Sequence, residues 1–210
     1  MVYFIIFVPS MGSSYSKSER TRQFIVERTA PVFNEKGYAG TSLSDLTTVT
    51  GLTKGSIYGN FENKDEVALA AFDYNFGRIT AYIKDRISAS DNAIERLLVY
   101  PAVYRDFMKI PFLKAGCPIL NTSTEADDTH PKLRERAANA LLFWKAAIEK
   151  EVSRGIKRGE INPDTDPAEF AIILTSLIEG AIMQAKVSGK TADLRVAMNF
   201  LATLIRRLEV

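Results

Sequence analysis

At 210 residues and 46% hydrophobic content, the chain can bury one sizeable core or two small ones, which excludes a wholly disordered polypeptide. Its 27 basic and 25 acidic residues leave a net charge of +2, so overall charge does not by itself announce a nucleic-acid binder. The single cysteine, Cys117, excludes an internal disulfide and fits a reducing cytoplasm.

The first ten residues, MVYFIIFVPS, are apolar but lack the basic start of a signal peptide and are too short to span a bilayer, so no membrane role is expected. Met11 is the expected start of translation, and residues 1–16 are expected to be a disordered or mis-assigned tail. A first helix follows, with Pro31 predicted to bend or loosen it before Phe33 by removing the N–H that would meet the carbonyl of Glu27. Thr41 and Ser42 then cap a second helix on which Leu43, Leu46 and Val49 recur at helical spacing, and Gly51 supplies a sharp turn. A third helix, Thr53 to Phe61, is anchored by Ile57 and Phe61 and projects Thr53, Lys54, Ser56, Tyr58 and Asn60.

Everything after Lys64 reads as helix, with no period-2 run, so the fold class is all-α. Helices are predicted over about 64–87, 93–108 (kinked at Pro101), 119–124, 131–158, 167–187 and 191–208, with His130 in a surface loop. Val67, Ala71, Tyr74 and Ile83 are the inward candidates of the first of these.

Two short helices meeting at a glycine turn, the second polar and slim, are how a helix-turn-helix reads in sequence. Two merely packed helices are the bland alternative; the coincidence of cap, turn glycine, polar helix and the Phe61 to Lys64 restart favours DNA binding. Lys17, Arg20, Arg22, Arg28, Lys36, Lys54 and Lys64 add a local basic face.

From Thr21 to Phe72 the chain resembles the TetR-type (tetracycline repressor-like) transcriptional regulators. Ile25, Val26, Val32, Phe33, Gly37-Tyr38, Thr41-Ser42, Asp45-Leu46, Gly51-Leu52, Gly55, Ile57-Tyr58, Phe61 and Lys64 fall in that family's order and spacing. Thr47 stands where the family commonly has alanine, and Gly59-Asn60 replaces a bulkier pair. The resemblance implies a three-helix DNA-binding head at 17–63, a helical ligand-binding and dimerisation domain at 64–210, a homodimer through the last two helices, and repression relieved by a small molecule.

On that reading Ser42, Thr53, Tyr58, Asn60 and Lys64 hold phosphates of double-stranded operator DNA, Gly59 lets the backbone come close, and Lys54, Gly55 and Ser56 approach base edges. Tyr104, Phe107, Met108, Phe112, Cys117, Trp144 and Met183 are the candidates for the wall of an effector cavity suited to a lipophilic or aromatic ligand. Leu194, Ala197, Met198, Leu201, Leu204, Ile205 and Leu208, with Gly180-Ala181, are the expected dimer contacts. The alternative is a small-molecule binding or thiol-based redox-sensing protein acting through Cys117, whose Gly116-Cys117-Pro118 setting looks like a helix start. No nucleophile elbow, metal-ligand cluster or phosphate-binding glycine loop is present, so neither enzyme activity nor a cofactor or metal is expected.

Overall fold

The structure, a computed structural model, describes residues 16–210. The expectations about Met11 and the tail therefore lie outside the described residues. Ser16 opens α1 (Lys17–Gly40) with a reciprocal cap: its hydroxyl accepts from the Glu19 N–H, and the Glu19 carboxylate accepts from the Ser16 N–H. Ile25, Val26, Thr29, Ala30 and Phe33 form its buried face.

The break in α1 falls at Gly37 (φ 73°, ψ 178°) and not at Pro31, which stays helical. Pro31 and Glu27 are both exposed, so water can take the carbonyl that the proline leaves unpaired.

Ser42 and Asp45 cap α2 (Leu43–Thr50) reciprocally, and Gly51 closes it in the left-handed region at φ 68°. The Thr47 hydroxyl bonds back to the Ser44 carbonyl. Thr53 caps α3 (Lys54–Tyr58), which is shorter than the expected Thr53–Phe61 because Gly59 ends the regular helix. A last turn, Phe61 N–H to Ile57 O, carries Phe61 into the core.

α4 (Lys64–Ser88) runs from the head into the rest of the molecule, burying Val67, Ala68, Ala71 and Phe72 at one end and Ile79 and Ile83 at the other. α5 (Ala93–Arg105) passes through Pro101 and ends earlier than expected, giving way to two 3-10 turns over 107–113. α6 (Pro118–Ala126), α7 (Pro131–Lys157), α8 (Pro167–Ser188) and α9 (Thr191–Arg206) complete the bundle. α1 packs on α4, α6 on α7, and α8 on both α7 and α9, while α9 also lies on α5.

Two expectations are corrected here. His130 is 8% exposed rather than a surface-loop residue; its Nδ1 accepts from the Leu133 N–H and so caps α7, a use of histidine invisible in a loop-like sequence. Leu194, Met198, Leu201 and Ile205 are fully buried inside the monomer against α5 and α8, so the expected α9 dimer stripe is the core face. What remains exposed on α8 and α9 is a second apolar face of Ile172, Ile173, Met183, Val187, Val196 and Phe200. By length and hydropathy α8 could cross a membrane, but 44% of its apolar window is buried inside the protein.

Candidate DNA interface and effector cavity

The head is plugged together by Ile25, Leu46, Ile57 and Val67, all 0% exposed, each stabilising it by about 1.5–3 kcal/mol. Seating Ile57 and Phe61 inward turns Thr53, Lys54 and Gly55 outward, all three exposed, with Ser56 and Tyr58 half-buried beside them. The Thr53 hydroxyl accepts from the Ser56 N–H at 3.2 Å, which fixes the first turn. Tyr58 packs against the core.

The predicted contacts divide by what they already hold. Ser42 is exposed, its hydroxyl engaged with Asp45 at 2.7 Å. Asn60 spends one amide hydrogen on the Ser56 carbonyl at 2.9 Å and accepts from the Ser18 hydroxyl, which leaves one amide hydrogen to offer outward. The Lys64 ammonium lies 4.3 Å from the centre of the Tyr38 ring. A side-chain carbon at Gly59 would stand 3.1 Å from the Gly55 carbonyl oxygen, a tight contact that a shift of a few tenths of an ångström relieves.

Of the expected basic face, Arg22 turns inward onto Phe61, Glu66 and the Asn60 carbonyl, and Lys36 pairs with Asp45 at 2.6 Å. Lys36 and Ser42 hold the Asp45 carboxyl well below the usual carboxylate range. Lys17, Arg20, Arg28 and Lys54 are exposed with no acidic partner among the described residues, Arg28 lying 5.5 Å from the centre of the Phe24 ring, and they are the cations free to meet a polyanion.

The sequence does not reveal how the head is tied to the rest. Glu125, at the end of α6, accepts from the backbone N–H groups of Tyr38 and Ala39 at 2.8 and 2.7 Å, just past the Gly37 break. Asn34 of α1 donates to the Gly116 carbonyl, Asn121 of α6 donates to the Asn34 carbonyl, and Lys186 of α8 donates to Asn121 at 2.7 Å. Tyr38 donates its hydroxyl to Asp65, which pushes its pKa up to about 12, and its ring meets His130 edge-on at 4.6 Å. These partners lie tens of residues apart in sequence, and no local pattern marks them.

A cavity of about 220 Å³ lies between α4, α5 and α7. Of the seven predicted wall residues, only Tyr104 and Trp144 line it; the others are Phe76, Ile79, Thr80, Ile83, Lys84, Ile87, Tyr100, Ile119, Phe143 and Ala147. Phe107 and Cys117 are buried elsewhere in the core and Phe112 packs edge-on to Tyr82, while Met108 and Met183 are exposed. The missed residues of α4 repeat at 76, 79/80, 83 and 87, a helical stripe that the sequence did contain.

Cys117 does begin α6, and the N–H groups of Ile119 and Leu120 pull its thiol pKa down. Complete burial and the Glu179 charge win, and the thiol stands well above its usual range, opposite to what a redox sensor needs. Its sulfur donates to Glu179 Oε1 at 3.0 Å, while Glu179 Oε2 is buried without a hydrogen-bond partner among the described residues. Burial pushes Glu179 up to about 7, against the opposing thiol hydrogen bond.

That shift has a sign. Between the ordinary 4.5 and about 7 the native state keeps a proton that the unfolded chain has lost, so stability falls as pH rises through this window. The whole effect is about 3 kcal/mol. Urea unfolding of Glu179→Gln at pH 5 and pH 7.5 is expected to lack this fall; an unaltered difference between the two pH values would refute the assignment.

Residues 25–71 match the family described as bacterial regulatory proteins, tetR family, and residues 93–201 match the tetracyclin repressor-like C-terminal domain. The crystal structure of a TetR-family transcriptional regulator from Cytophaga hutchinsonii is similar to this chain at a TM-score of 0.90 and 48% identity, over 94% of this chain and 99% of that one. The HTH-type transcriptional repressor DhaR of Mycobacterium sp. (strain GP1) is 28% identical over 79% of this chain and 82% of its own. The fold is also that of the regulator CifR, solved as a cysteine mutant with a 26-bp double-stranded operator, at a TM-score of 0.76 and 20% identity over 91% of this chain and 98% of that one.

Proposed function

Because the chain belongs to the TetR family of DNA-binding transcriptional regulators, we propose that it is a repressor that grips a pseudo-palindromic operator as a homodimer and lets go when a small lipophilic or aromatic effector binds. The observation that carries the DNA side of this reading is the outward face of α3. Thr53, Lys54 and Gly55 are exposed while Ile57 and Phe61 lock the helix from behind. Lys54, Gly55 and Ser56 approach base edges; Ser42, Thr53, Tyr58, Asn60 and Lys64 hold phosphates, with Gly59 admitting the backbone. Two such helices, one from each copy, enter adjacent major grooves about 34 Å apart.

The head takes residues 17–63 and the ligand-binding and dimerisation domain takes 64–210, with the first turns of α4 shared between the two cores. The repressor assignment follows DhaR, and the operator assignment is supported by the CifR complex. The effector occupies the cavity between α4, α5 and α7, and occupancy favours a population with differently spaced heads. A cytoplasmic location accords with a DNA target and an unpaired cysteine.

Tyr58→Ala is expected to weaken binding to every DNA sequence by about tenfold, since a phosphate contact carries no base preference. A footprinting titration on DNA selected from a random pool measures it. Unchanged affinity would sink the role of Tyr58.

A further inference from the structure

We propose that the effector is a small amphipathic acid, its apolar body lying among Phe76, Ile83 and Trp144, an acceptor oxygen on the Trp144 indole N–H, and its negative charge toward Lys84. This rests on reading the cavity between α4, α5 and α7 as the effector site. Trp144 Nε1 is buried and lacks a hydrogen-bond partner among the described residues, although Trp144 lines the cavity. The Tyr100 oxygen interacts with the indole without completing a hydrogen bond. A buried donor left unmet is costly, and a ligand oxygen placed there removes the cost.

Lys84 is the one basic side chain among the described residues that line the cavity, and none of these is a carboxylate. It is exposed and makes no ion pair with the described residues, so its charge stands at the mouth without a neutralising neighbour. An ammonium ligand finds aromatic faces here but also a like charge; a carboxylate finds an opposite charge and a waiting donor. The remaining walls are aliphatic and aromatic, with the Thr80 hydroxyl and the neutral phenols of Tyr100 and Tyr104. At about 220 Å³, roughly seven water volumes, the space suits one ring with a short tail.

The chain has one tryptophan, and Trp144 therefore reports occupancy by its own fluorescence in the full-length protein. The probes are 3-phenylpropanoate, 3-phenylpropan-1-ol and 3-phenylpropylammonium, which share a skeleton and differ in charge. The acid is expected to bind at least about tenfold tighter than the alcohol, and the ammonium weakest. Lys84→Met, at an exposed position, is expected to erase the acid's advantage and leave the alcohol unchanged. Trp144→Phe, followed by calorimetry, is expected to weaken the acid by about tenfold. Equal or tighter binding of the alcohol or ammonium, a preference that survives Lys84→Met, or no binding of any probe would overturn the proposal. Operator binding by the same protein without probe is measured in parallel: intact operator binding with no anion preference defeats only the ligand class, and anion preference without operator binding defeats only the regulator reading.

Discussion

An Ile172→Lys, Phe200→Lys double variant is expected to sediment as a monomer and to bind operator DNA at least a hundredfold more weakly, while keeping its helical content. Ile172 is 52% and Phe200 55% exposed, so neither substitution opens the monomer core. They sit with Ile173 and Val196 on the outer face of α8 and α9, an apolar surface for which the monomer has no use. In an interface related by a two-fold axis the same patch meets its own copy, and each new lysine therefore faces lysines across the axis. On the proposed homodimer, losing the second head would remove the effective concentration that makes two half-sites cooperate, a factor of about 10² to 10⁴. Analytical ultracentrifugation and a gel shift on the same preparation measure both effects. A variant that remains dimeric would place the interface elsewhere. Leu201→Lys makes an instructive contrast: Leu201 is 0% exposed, and charging it is expected to unfold the monomer.

Gly37→Ala is expected to cost about 3–5 kcal/mol of stability. At φ 73° and ψ 178° the backbone occupies a region essentially reserved for glycine, and forcing alanine there costs about 1–3 kcal/mol. A Cβ built at this position falls 2.3 Å from Glu125 Oε2, so the carboxylate must leave and the N–H groups of Tyr38 and Ala39 lose their acceptor. Glu125→Ala removes the same two hydrogen bonds without the strain, and about 1–3 kcal/mol is expected. The double variant should be less damaged than the sum, because the truncated side chain leaves space for the new methyl. Chemical denaturation of the four proteins closes the cycle, and simple additivity would argue that Gly37 and Glu125 act separately.

The head was largely legible because its determinants are local. Ser42 and Asp45 are three residues apart, Gly51 makes its own turn, and Ile57 and Phe61 share a face by helical arithmetic. α9 was not, because it is apolar on two sides: periodicity identifies Leu194, Met198, Leu201 and Ile205 as one stripe and Val196 and Phe200 as another, but not which one the neighbouring helices cover. The lining of the cavity between α4, α5 and α7 was legible only in part, at Tyr104 and Trp144, for a related reason. Met108 and Met183 have the right chemistry but are exposed, whereas Phe76, Ile79 and Ile83 of α4 line the cavity. Glu125 depends on Tyr38, a partner 87 positions away, and no window of sequence contains both ends.

α4 belongs to the head at one end and to the cavity at the other, and this makes it a lever with a calculable arm. From Ile83, on the cavity wall, to Lys64, at the edge of the head, is about 28 Å of continuous helix. A tilt of about 5° about Ile83 carries Lys64 through roughly 2.5 Å, and in the proposed homodimer two copies tilting in opposite senses would change the distance between heads by about 5 Å. On DNA that advances about 34 Å per turn, the mismatch amounts to more than one base pair. Adjustment of a few side chains around a ligand of one ring would thus be read by the duplex as a helix in the wrong register.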